Sequence, residues 1–581
     1  MDITLGLPQR LGHLPLVMDV FRRSGMDALI DHAVRDDVRS DVSTAECVAV
    51  ILAGVFVGAH SLWRLRERLD PYDMKTVMQD HTFDLQRFPE ERLAKCLDDV
   101  YRADPERMMT AIATQAIAAH SIDMSFVHFD TTSLSFYGGY EREDPFSFLP
   151  DVATPPRVTY GYSKINRGDL KQLVFGMLVA HDGGIPLLGK AVDGNASDAQ
   201  VAVEFFSKIS DLVEDPRLVC CVADCKGWAP ATLSVVSEAG MRLLSRLPRN
   251  KRIHADIMNR QSTSTGTLSL PARRKSDDPD VYEYAGFDVV DHCVWNEKQD
   301  DGTTIRRTLD VPARAVRVQS PSLLRTKRHT LDRLRQREAV KAKAVIREWQ
   351  HHVYACQKDA RRAADRHISQ APWATVVVSA TVTHHQGPVK RGRGRPRKIA
   401  EPAIAHGEHW RVAYTAHPAP AEYIERRLIE QSTFILIRTR TDGWEISDED
   451  MIKRYKQQYR VEHGFSWLKS TADINPAFLH TPHRIAALCF IYCLGLMIWN
   501  ITQRTVRKNL RAWKTGLPYH RNKPSDNITT RFLYELFPSV VTQTVQIEGR
   551  PREKRLLGFS STHDLACRAL GSNSKMFQPC G

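Results

Sequence analysis

The stretch Met124-Ser-Phe-Val-His-Phe-Asp130-Thr-Thr-Ser-Leu-Ser-Phe136 marks a change in the periodicity of the sequence. Residues 1–120 alternate amphipathic helical stretches with short polar breaks, which predicts a helical N-terminal domain. From Met124 the pattern becomes strand-like, and residues 127–130 predict a strand that ends at Asp130. We therefore expect a sheet to begin here and to present Asp130 at its edge.

Strands and helices continue to alternate after this first strand. The pattern predicts further strands at 172–180, 185–192, 218–223, 241–247 and 434–439, and helices at 198–209 and 230–239. This order is typical of an α/β fold, a mixed sheet with flanking helices. Polar strands, a long charged helix and a basic Gly/Pro stretch in 251–431 indicate a large insertion. The sheet domain is then predicted in two parts, 121–250 and 432–505, followed by a basic C-terminal tail, 506–581.

The length and charge of the chain set limits on its class. At 581 residues and 66.0 kDa it exceeds the ~250 to 300 residues at which one hydrophobic core stops growing, so several domains are expected. The 81 Lys and Arg residues outnumber the 68 Asp and Glu residues, giving a net charge of +13. This excess favours a polyanionic partner, although a merely basic protein has the same balance.

Several other classes of protein are disfavoured. The 11 cysteines show no paired zinc-ligand spacing, and the first ten residues lack the pattern of a secretory signal. The apolar runs 47–59 and 485–499 are shorter than the ~18 to 20 residues of a membrane span, so both are predicted to be buried helices. The first begins with Ser43-Thr-Ala-Glu46, a capping box. A cytoplasmic, nucleoid-associated protein without a membrane segment is expected.

Three acids lie where chemistry is expected. Asp130 and Asp224 each follow a predicted strand, and Glu462 lies on a helix predicted from Asp448 onward. Cutting a phosphodiester by in-line displacement uses two divalent metals held by hard oxygen ligands, which carboxylates supply. A single acid at a strand end is more often a solvated cap, so the assignment depends on the surrounding motifs.

Five motifs surround the acids in a fixed order. After the segment at Asp130 come Gly161-Tyr-Ser-Lys-Ile-Asn-Arg-Gly-Asp-Leu-Lys-Gln172, Gly184-Ile-Pro186, Gly194-Asn-Ala-Ser-Asp198, Val222-Ala-Asp224 and Tyr455-Lys-Gln-Gln-Tyr-Arg-Val-Glu462-His-Gly-Phe-Ser-Trp-Leu-Lys469. Over about residues 14–500 the series resembles bacterial insertion-sequence transposases of the DDE superfamily. It resembles in particular the group with the signature Tyr-x2-Arg-x3-Glu-x6-Lys.

This resemblance implies a fold, a reaction and partners. The fold implied is RNase H-like, interrupted by an insertion between the second and third acids. Asp130, Asp224 and Glu462 would be the catalytic residues and would hold two Mg²⁺ ions, for which Mn²⁺ substitutes. The reaction implied is cleavage at transposon ends and strand transfer into target DNA. The partners implied are double-stranded DNA, with its terminal inverted repeats, and a second copy of the chain. The N-terminal domain would help to bind DNA ends.

The helix of the third acid carries the residues expected to contact DNA. Tyr455, Glu462 and Lys469 repeat every seven residues and therefore share one helical face. The resemblance assigns Tyr455 and Lys469 to the transposon end, whereas the ordinary alternative is a packed aromatic and a solvated lysine. Gln458 stands where the family usually has Arg. Arg454 or Arg460 is the candidate for the missing phosphate contact.

Two further basic segments point toward DNA. Residues 390–398 contain Arg393, Arg395 and Arg397 around a Gly-Arg-Pro sequence and resemble an AT-hook, a segment that lies in a narrow minor groove. The alternative is a disordered basic linker. Residues 323–367 are predicted to be a cation-rich helix, which suits a DNA backbone, a solvated surface or a dimer contact about equally.

Other functions remain alternatives. A tyrosine recombinase needs a His-x-x-Arg sequence late in the chain, but the only one runs from His32 to Arg35. A non-catalytic DNA-binding protein derived from a transposase and an RNase H-like nuclease without strand transfer are both compatible with the acids. The motifs around Glu462 favour the transposase.

Overall fold

The computed structural model describes residues 3–35, 39–164, 167–271, 279–298, 303–387, 407–441, 443–470, 479–519, 523–548 and 551–580. The chain divides into two compact units. Unit 1 comprises Met1–Lys251, Asp288–Arg314 and Leu436–Gly581. Unit 2 comprises Arg252–Phe287 and Ala315–Ile435. The chain therefore passes from one unit to the other after Lys251, Phe287, Arg314 and Ile435.

Helices dominate unit 1 before residue 121. The elements are β1 (Ile3–Leu5), β2 (Gln9–Arg10), α1 (Leu14–Arg23), α2 (Met26–Ala33), α3 (Thr44–Phe56), α4 (Leu65–Leu69), α5 (Met74–Met78), α6 (Glu90–Arg102) and α7 (Pro105–His120). Helix α3 begins at the predicted capping box, where the Ser43 hydroxyl accepts a hydrogen bond from the Glu46 N–H and the Glu46 carboxylate accepts one from the Ser43 N–H. Both N–H groups would otherwise lack a partner within the helix, so the box fixes where α3 starts.

Strands and helices alternate in the next part of the chain. The elements are β3 (Phe126–Phe136), β4 (Lys171–Ala180), β5 (Pro186–Val192), α8 (Asp198–Ser207), β6 (Cys220–Ala223), α9 (Pro230–Glu238), β7 (Arg242–Arg246) and α10 (Arg252–Asn259). The prediction for the first strand was too short. Asp130 lies in the middle of β3, because the polar residues that follow it still pair with β4, from Thr131 opposite Gly176 to Ser135 opposite Gln172.

Longer strands and helices make up residues 264–439. The elements are β8 (Ser264–Leu270), β9 (Asp280–Lys298), β10 (Thr304–Gln319), α11 (Pro321–Trp349), β11 (Val353–Tyr354), α12 (Gln357–Ser369), β12 (Val376–Gln386), β13 (Glu408–Pro418), α13 (Ala421–Ser432) and β14 (Thr433–Thr439). The single basic helix predicted for 323–367 is therefore two helices, α11 and α12, separated by the short strand β11.

The remaining elements belong to unit 1. They are α14 (Asp448–Lys456), α15 (Tyr459–Ser470), α16 (Pro482–Ala512), β15 (Leu517–Pro518), β16 (Pro524–Ser525), α17 (Thr530–Tyr534), β17 (Val541–Ile547), β18 (Glu553–Leu557) and α18 (Ser561–Leu570). The part after residue 505, predicted to be a tail, is folded. Strand β17 pairs with β1, β2 and β18, and the Asn509 side chain on α16 donates a hydrogen bond to the Ala569 carbonyl on α18.

A mixed sheet forms the centre of unit 1. Its strand order is β5-β4-β3-β6-β7-β14-β10-β9, where the last three strands contribute Leu436–Thr439, Thr304–Arg314 and Asp288–Lys298. Strands β3, β6 and β7 are parallel, whereas β4, β5 and β14 run antiparallel to their neighbours. The predicted α/β class with a large mixed sheet is confirmed, and this arrangement is consistent with an RNase H-like fold.

Unit 2 has its own small core. Strand β8 pairs antiparallel with the first half of β9, and a second sheet has the order β11-β13-β12. Helices α11 and α12 contribute to a buried cluster on this second sheet, which contains Ile346, Ala360, Ala364, Val378, Val412 and Tyr414. The buried carboxylate of Glu338 on α11 accepts hydrogen bonds from the N–H groups of Ala374 and Thr375. These contacts fix α11 to the segment that leads into β12.

Helix α16 is the one described helix that is long and apolar enough to cross a membrane. It has 31 residues, and 83% of its most apolar 18-residue window is buried inside the protein. The helix contacts α3, α6, α7 and β5 in unit 1. Burial to this extent is typical of the core helix of a folded domain. The sequence predicts a buried helix for 485–499.

Candidate active site

The backbone of the sheet brings the first two acids together. Strands β3 and β6 are parallel neighbours, and His128 lies opposite Val222. Asp130 stands two residues further along β3, and Asp224 is the residue after the end of β6, so the two acids lie close enough for the charge of Asp224 to act on Asp130. Asp224 directly follows β6, and its carbonyl accepts hydrogen bonds from the Ser245 hydroxyl (2.5 Å) and the Gly227 N–H (3.0 Å).

The electrostatics of Asp130 are set mainly by its burial. Burial raises the pKa of Asp130 to about 6, and the carboxylates of Asp224 and Asp198 act in the same direction. The Lys164 ammonium and the Thr131 N–H oppose this shift. The Lys164 Nζ lies 4.0 Å from Asp130 Oδ1, and the Thr131 N–H donates to that same oxygen at 2.8 Å. A cation close to Asp130 therefore stabilises its ionised form.

Lys164 belongs to the second sequence motif, whose glycine has a structural reason. A Cβ on Gly161 would lie 2.0 Å from the Gly194 carbonyl oxygen, so the two backbones touch at that point. The Gln172 side-chain amide donates to the carbonyls of Gly194 (2.8 Å) and Tyr162 (3.2 Å). These contacts join the loop that carries Lys164 to the loop that precedes α8.

Asp198 is a carboxylate beside the site to which the sequence analysis assigned no role. Its Oδ1 accepts a hydrogen bond from the Thr131 hydroxyl at 2.6 Å, and its Oδ2 accepts one from the Lys226 ammonium at 2.8 Å. Lys164 Nζ lies 3.6 Å from Oδ1. Burial acts to raise the pKa of Asp198, but the hydrogen bonds from Lys226 and Thr131 outweigh it and lower that pKa.

Tyr455 lies near both strand acids. Burial raises its pKa, and the charges of Asp224 and Asp130 act in the same direction, while Arg246 opposes them. Tyr455 is on α14, not on the helix of Glu462, because the helix predicted from Asp448 is interrupted after Lys456. The N–H groups of Gln457 and Gln458 bond to carbonyls three residues earlier, a tighter turn than an α-helix. The predicted common face of Tyr455 and Glu462 is therefore not continuous.

Lys469 reaches the sheet from α15. Its ammonium donates to the Thr132 hydroxyl at 2.6 Å, two residues beyond Asp130 on β3. Burial lowers the pKa of Lys469, and Lys164 acts in the same direction, whereas Asp130 raises it. Lys469 is half-buried and lies close to the charges of Lys164 and Asp130.

Glu462 lies on α15, which packs on the sheet through Gly464. A Cβ on Gly464 would lie 2.5 Å from Met177 Cε, and Met177 on β4 is opposite Asp130. Glu462 precedes Lys469 by seven residues, so both lie on one face of α15. The side chain of Glu462 is exposed. The structure therefore groups Asp130 with Asp224 and leaves Glu462 in solvent on the neighbouring helix.

The residues considered for the missing phosphate contact have different environments. Arg454 stacks on Phe126 with its guanidinium carbon 4.5 Å from the ring centre, and it is hydrogen-bonded to the His181 ring (2.7 Å). Gln458 is buried. Arg460 is half-buried and has its guanidinium carbon 5.9 Å from the ring centre of Tyr459. Arg454 and Gln458 thus already have internal surroundings.

Three predicted DNA-binding residues cannot be placed in the site, and two residues of the site were not predicted. Arg393, Arg395 and Arg397 lie outside the described residues. Lys164 and Asp198 lie in two of the sequence motifs, but no role was predicted for either residue. The sequence did contain a signal for them. Each follows a glycine, Gly161 or Gly194, and a glycine is needed where two backbones approach closely. The sequence does not show that the loops of Gly161 and Gly194 lie together, a contact that becomes visible only through the Gln172 hydrogen bonds in the structure.

The donor chemistry at the strands fits a divalent cation. Two neighbouring carboxylates supply the hard oxygens that Mg²⁺ and Mn²⁺ prefer, and the burial that raises the pKa of Asp130 would be offset by a bound cation. Among the residues that the structure describes, no three His, Cys, Asp or Glu side chains are grouped closely enough to hold a metal ion. Glu462, the third acid that the sequence predicts for the site, is not grouped with Asp130 and Asp224 in the described part of the chain.

The fold and this site define an α/β protein with paired carboxylates on adjacent parallel strands of a mixed sheet. A family model described as "Transposase DDE domain" matches residues 151–500, and one described as "Domain of unknown function (DUF4277)" matches residues 8–114. The first match covers more than half of the chain, so the chain belongs to the family of proteins with a transposase DDE domain. Such transposases generally use divalent metal ions. The matched segment contains Asp224 and Glu462 and begins after Asp130.

Comparison with individual proteins adds little detail. No curated protein sequence matches the chain. Among solved structures, it is similar to the cryo-EM structure of a piggyBac transposase synaptic complex with hairpin DNA, with 11% identity and a TM-score of 0.24. The match covers 53% of this chain and 63% of that one. This chain therefore spans less than two thirds of the length of the protein it matches.

Proposed function

We propose that this chain is the transposase of a bacterial insertion sequence, which cuts DNA at the transposon ends and joins them to target DNA. The single observation that supports this proposal best is the parallel register of β3 and β6. This register brings Asp130 near Asp224, and Asp224 lies in the segment that matches the transposase family. Insertion-sequence origin and the Tyr-x2-Arg-x3-Glu-x6-Lys group are part of the proposal, and Gln458 is the position that departs from that group.

The residues have distinct proposed roles. Asp130, Asp224 and Glu462 are the catalytic residues and would hold two Mg²⁺ or Mn²⁺ ions, which supply a Lewis acid for the attacking and the leaving oxygen. Asp130 and Asp224 provide carboxylates fixed by backbone N–H groups. Glu462 would complete the set from α15, on which its exposed side chain has freedom to turn.

Positive groups around the acids would orient the DNA strand. Lys469 is held at Thr132, two residues from Asp130, and is proposed to contact a phosphate of the transposon end. Tyr455 is proposed to contact the same end, close to Asp224 and Asp130. Arg454 is hydrogen-bonded to His181 and Gln458 is buried, so Arg460 is proposed to supply the phosphate contact for which the family usually has Arg at position 458. Arg393, Arg395 and Arg397 are proposed to add minor-groove binding.

The test is cleavage of a DNA duplex that carries the terminal inverted repeats flanking the gene. We expect the wild-type protein to cut this duplex in Mg²⁺ or Mn²⁺ and to pair two ends as a dimer. Asp130→Asn, Asp224→Asn and Glu462→Gln should each abolish cutting while end binding, measured by gel shift, persists. Glu449→Gln, a change at a partly exposed acid on the preceding helix, is the matched control and should cut normally.

The outcomes separate the proposed function from its alternatives. Specific end binding without cutting in any divalent metal would indicate a non-catalytic DNA-binding protein. Cutting without joining to target DNA would indicate a nuclease. Normal cutting by Glu462→Gln alone would remove Glu462 from the site and leave the two strand acids in it.

A further inference from the structure

Asp198 contacts a residue close in sequence to each of the first two acids, Thr131 on β3 and Lys226 after β6. It is the first residue of α8, and its side chain is 14% exposed. Thr131 and Asp130 are neighbours on β3 and point to opposite faces of the sheet, as successive strand residues do. Because Asp198 bonds to the Thr131 hydroxyl, it lies on the face opposite Asp130. Both of its oxygens accept hydrogen bonds from this chain, so neither is directed at a metal beside Asp130.

The partners of Asp198 are the residues whose main chains hold the acids. The Thr131 N–H donates to Asp130 Oδ1 at 2.8 Å, while the Thr131 hydroxyl donates to Asp198 at 2.6 Å. The Lys226 N–H donates to Asp224 Oδ1 at 2.9 Å, while its ammonium donates to Asp198 at 2.8 Å. One carboxylate thus holds both N–H donors in place through their own side chains.

A third contact completes the arrangement. The Lys164 ammonium donates to the Thr131 carbonyl at 2.7 Å and lies 3.6 Å from Asp198 Oδ1 and 4.0 Å from Asp130 Oδ1. Lys164 therefore lies between the two carboxylates. Its positive charge offsets part of the negative charge of Asp130 and Asp198, and its hydrogen bond holds the Thr131 carbonyl in place.

We propose that Asp198 is a positioning residue that fixes the carboxylates of Asp130 and Asp224 relative to each other, through Thr131 on one strand and Lys226 after the other. The inference rests on the proposed function, in which those two carboxylates bind metal. Groups that orient metal ligands in this way typically change metal affinity by about 10- to 100-fold when they are removed. Their loss affects how tightly metal is held more than the chemistry once metal is bound.

The experiment measures Mn²⁺ in two ways on the full-length protein. Electron paramagnetic resonance of free Mn²⁺ gives the binding affinity directly, and the Mn²⁺ concentration for half-maximal cleavage gives it during the reaction. We expect Asp198→Asn to weaken both by about 10- to 100-fold. The cleavage rate at saturating Mn²⁺ should remain within a few-fold of wild type. A purely structural defect would lower the saturated rate as well.

Two further variants keep the test independent of folding. Lys226→Met removes the same contact from a side chain that is 52% exposed and leaves the Lys226 N–H in place, so it should reproduce the effect if Asp198→Asn fails to fold. The double variant should bind Mn²⁺ no more weakly than Asp198→Asn alone, because Asp198→Asn already removes the ion pair with Lys226. Asp193→Asn is the matched control: Asp193 is paired with Arg157 at 2.8 Å in the loop before Asp198 and should bind Mn²⁺ normally.

The results distinguish this inference from the proposed function. Wild-type Mn²⁺ affinity in both Asp198→Asn and Lys226→Met, or an equal loss in Asp193→Asn, overturns the inference even if the protein cuts DNA. If the wild-type protein cuts no DNA, the proposed function fails, and the direct binding measurement still decides the role of Asp198. The inference also fails if Asp130→Asn leaves Mn²⁺ binding unchanged or if the wild-type protein binds no Mn²⁺. In either case there would be no metal site for Asp198 to position.

Discussion

Replacing Lys469 by alanine removes an ammonium held 2.6 Å from the Thr132 hydroxyl, two residues along β3 from Asp130. Two residues of a strand span about 6.6 Å, so the ammonium is held about that distance along β3 from Asp130, a proposed metal ligand. A hydrogen bond to a charged group contributes about 1.5 to 3 kcal/mol, and about 1.4 kcal/mol corresponds to tenfold in rate. If this contact forms with the scissile strand in the transition state, the loss should be about 10- to 150-fold.

The assay is single-turnover cleavage of pre-bound terminal-repeat DNA at saturating metal. Lys469→Ala should cut slowly while general DNA affinity changes little, because one phosphate contact among many carries a small share of binding. Lys469→Arg should recover part of the rate, since its planar group is longer and shaped differently. Lys453→Ala, at a partly exposed lysine on α14 paired with Glu449 and Asp450, is the control. A wild-type rate for Lys469→Ala would refute the reasoning.

Two further predictions concern other parts of the chain. Burial acts to raise the pKa of Asp98 on α6, but hydrogen bonds from Arg484 and His483 lower it from 3.8 to about 2, a shift worth roughly 2 kcal/mol at neutral pH. Because the folded pKa is the lower one, this stability is present above about pH 4 and is lost as the pH falls toward 2. Asp98→Asn should therefore lower the free energy of unfolding in urea at pH 7, and the difference from wild type should narrow below pH 4; a difference independent of pH would contradict this origin. Deleting residues 390–398, which contain six cations, should reduce the dependence of log K on log salt by up to about 5 and weaken A·T preference while cleavage persists. An unchanged salt slope would identify the segment as a linker.

The class of fold was predictable because buried strands have a clear pattern. The sequence predicted β4, β5, β6, β7 and β14 within a few residues, since each is a short apolar run between polar breaks. It failed on the second half of β3. Thr131, Thr132 and Ser133 are polar and suggest a turn, yet all are buried and paired with β4. Threonine suits a strand, and here the hydroxyls of Thr131 and Thr132 bond to Asp198 and Lys469, contacts that no local pattern reveals.

Helix boundaries show a second limit. The region from Asp448 to Ser470 contains no proline, and its single glycine is Gly464, so the sequence predicts one continuous helix. The structure instead tightens the backbone at Gln457 and Gln458. A turn of three residues rotates each residue by about 120° where an α-helix rotates it by about 100°, so a seven-residue spacing across the break loses its meaning. Spacing remains informative only for Glu462 and Lys469, which lie on the same helix.

The three acids therefore differ in how much the sequence determines their positions. Asp130 and Asp224 follow from strand pairing, because backbone hydrogen bonds fix the register of β3 against β6 and a side chain can change face only if the register slips. Glu462 follows from helix packing, in which Gly464 sets the distance of α15 from Met177 while the exposed side chain keeps its rotational freedom. Adjacent strand acids can be paired from the sequence once strand order is known. In the proposed function, binding of metal or DNA would turn the Glu462 side chain toward the two strand acids.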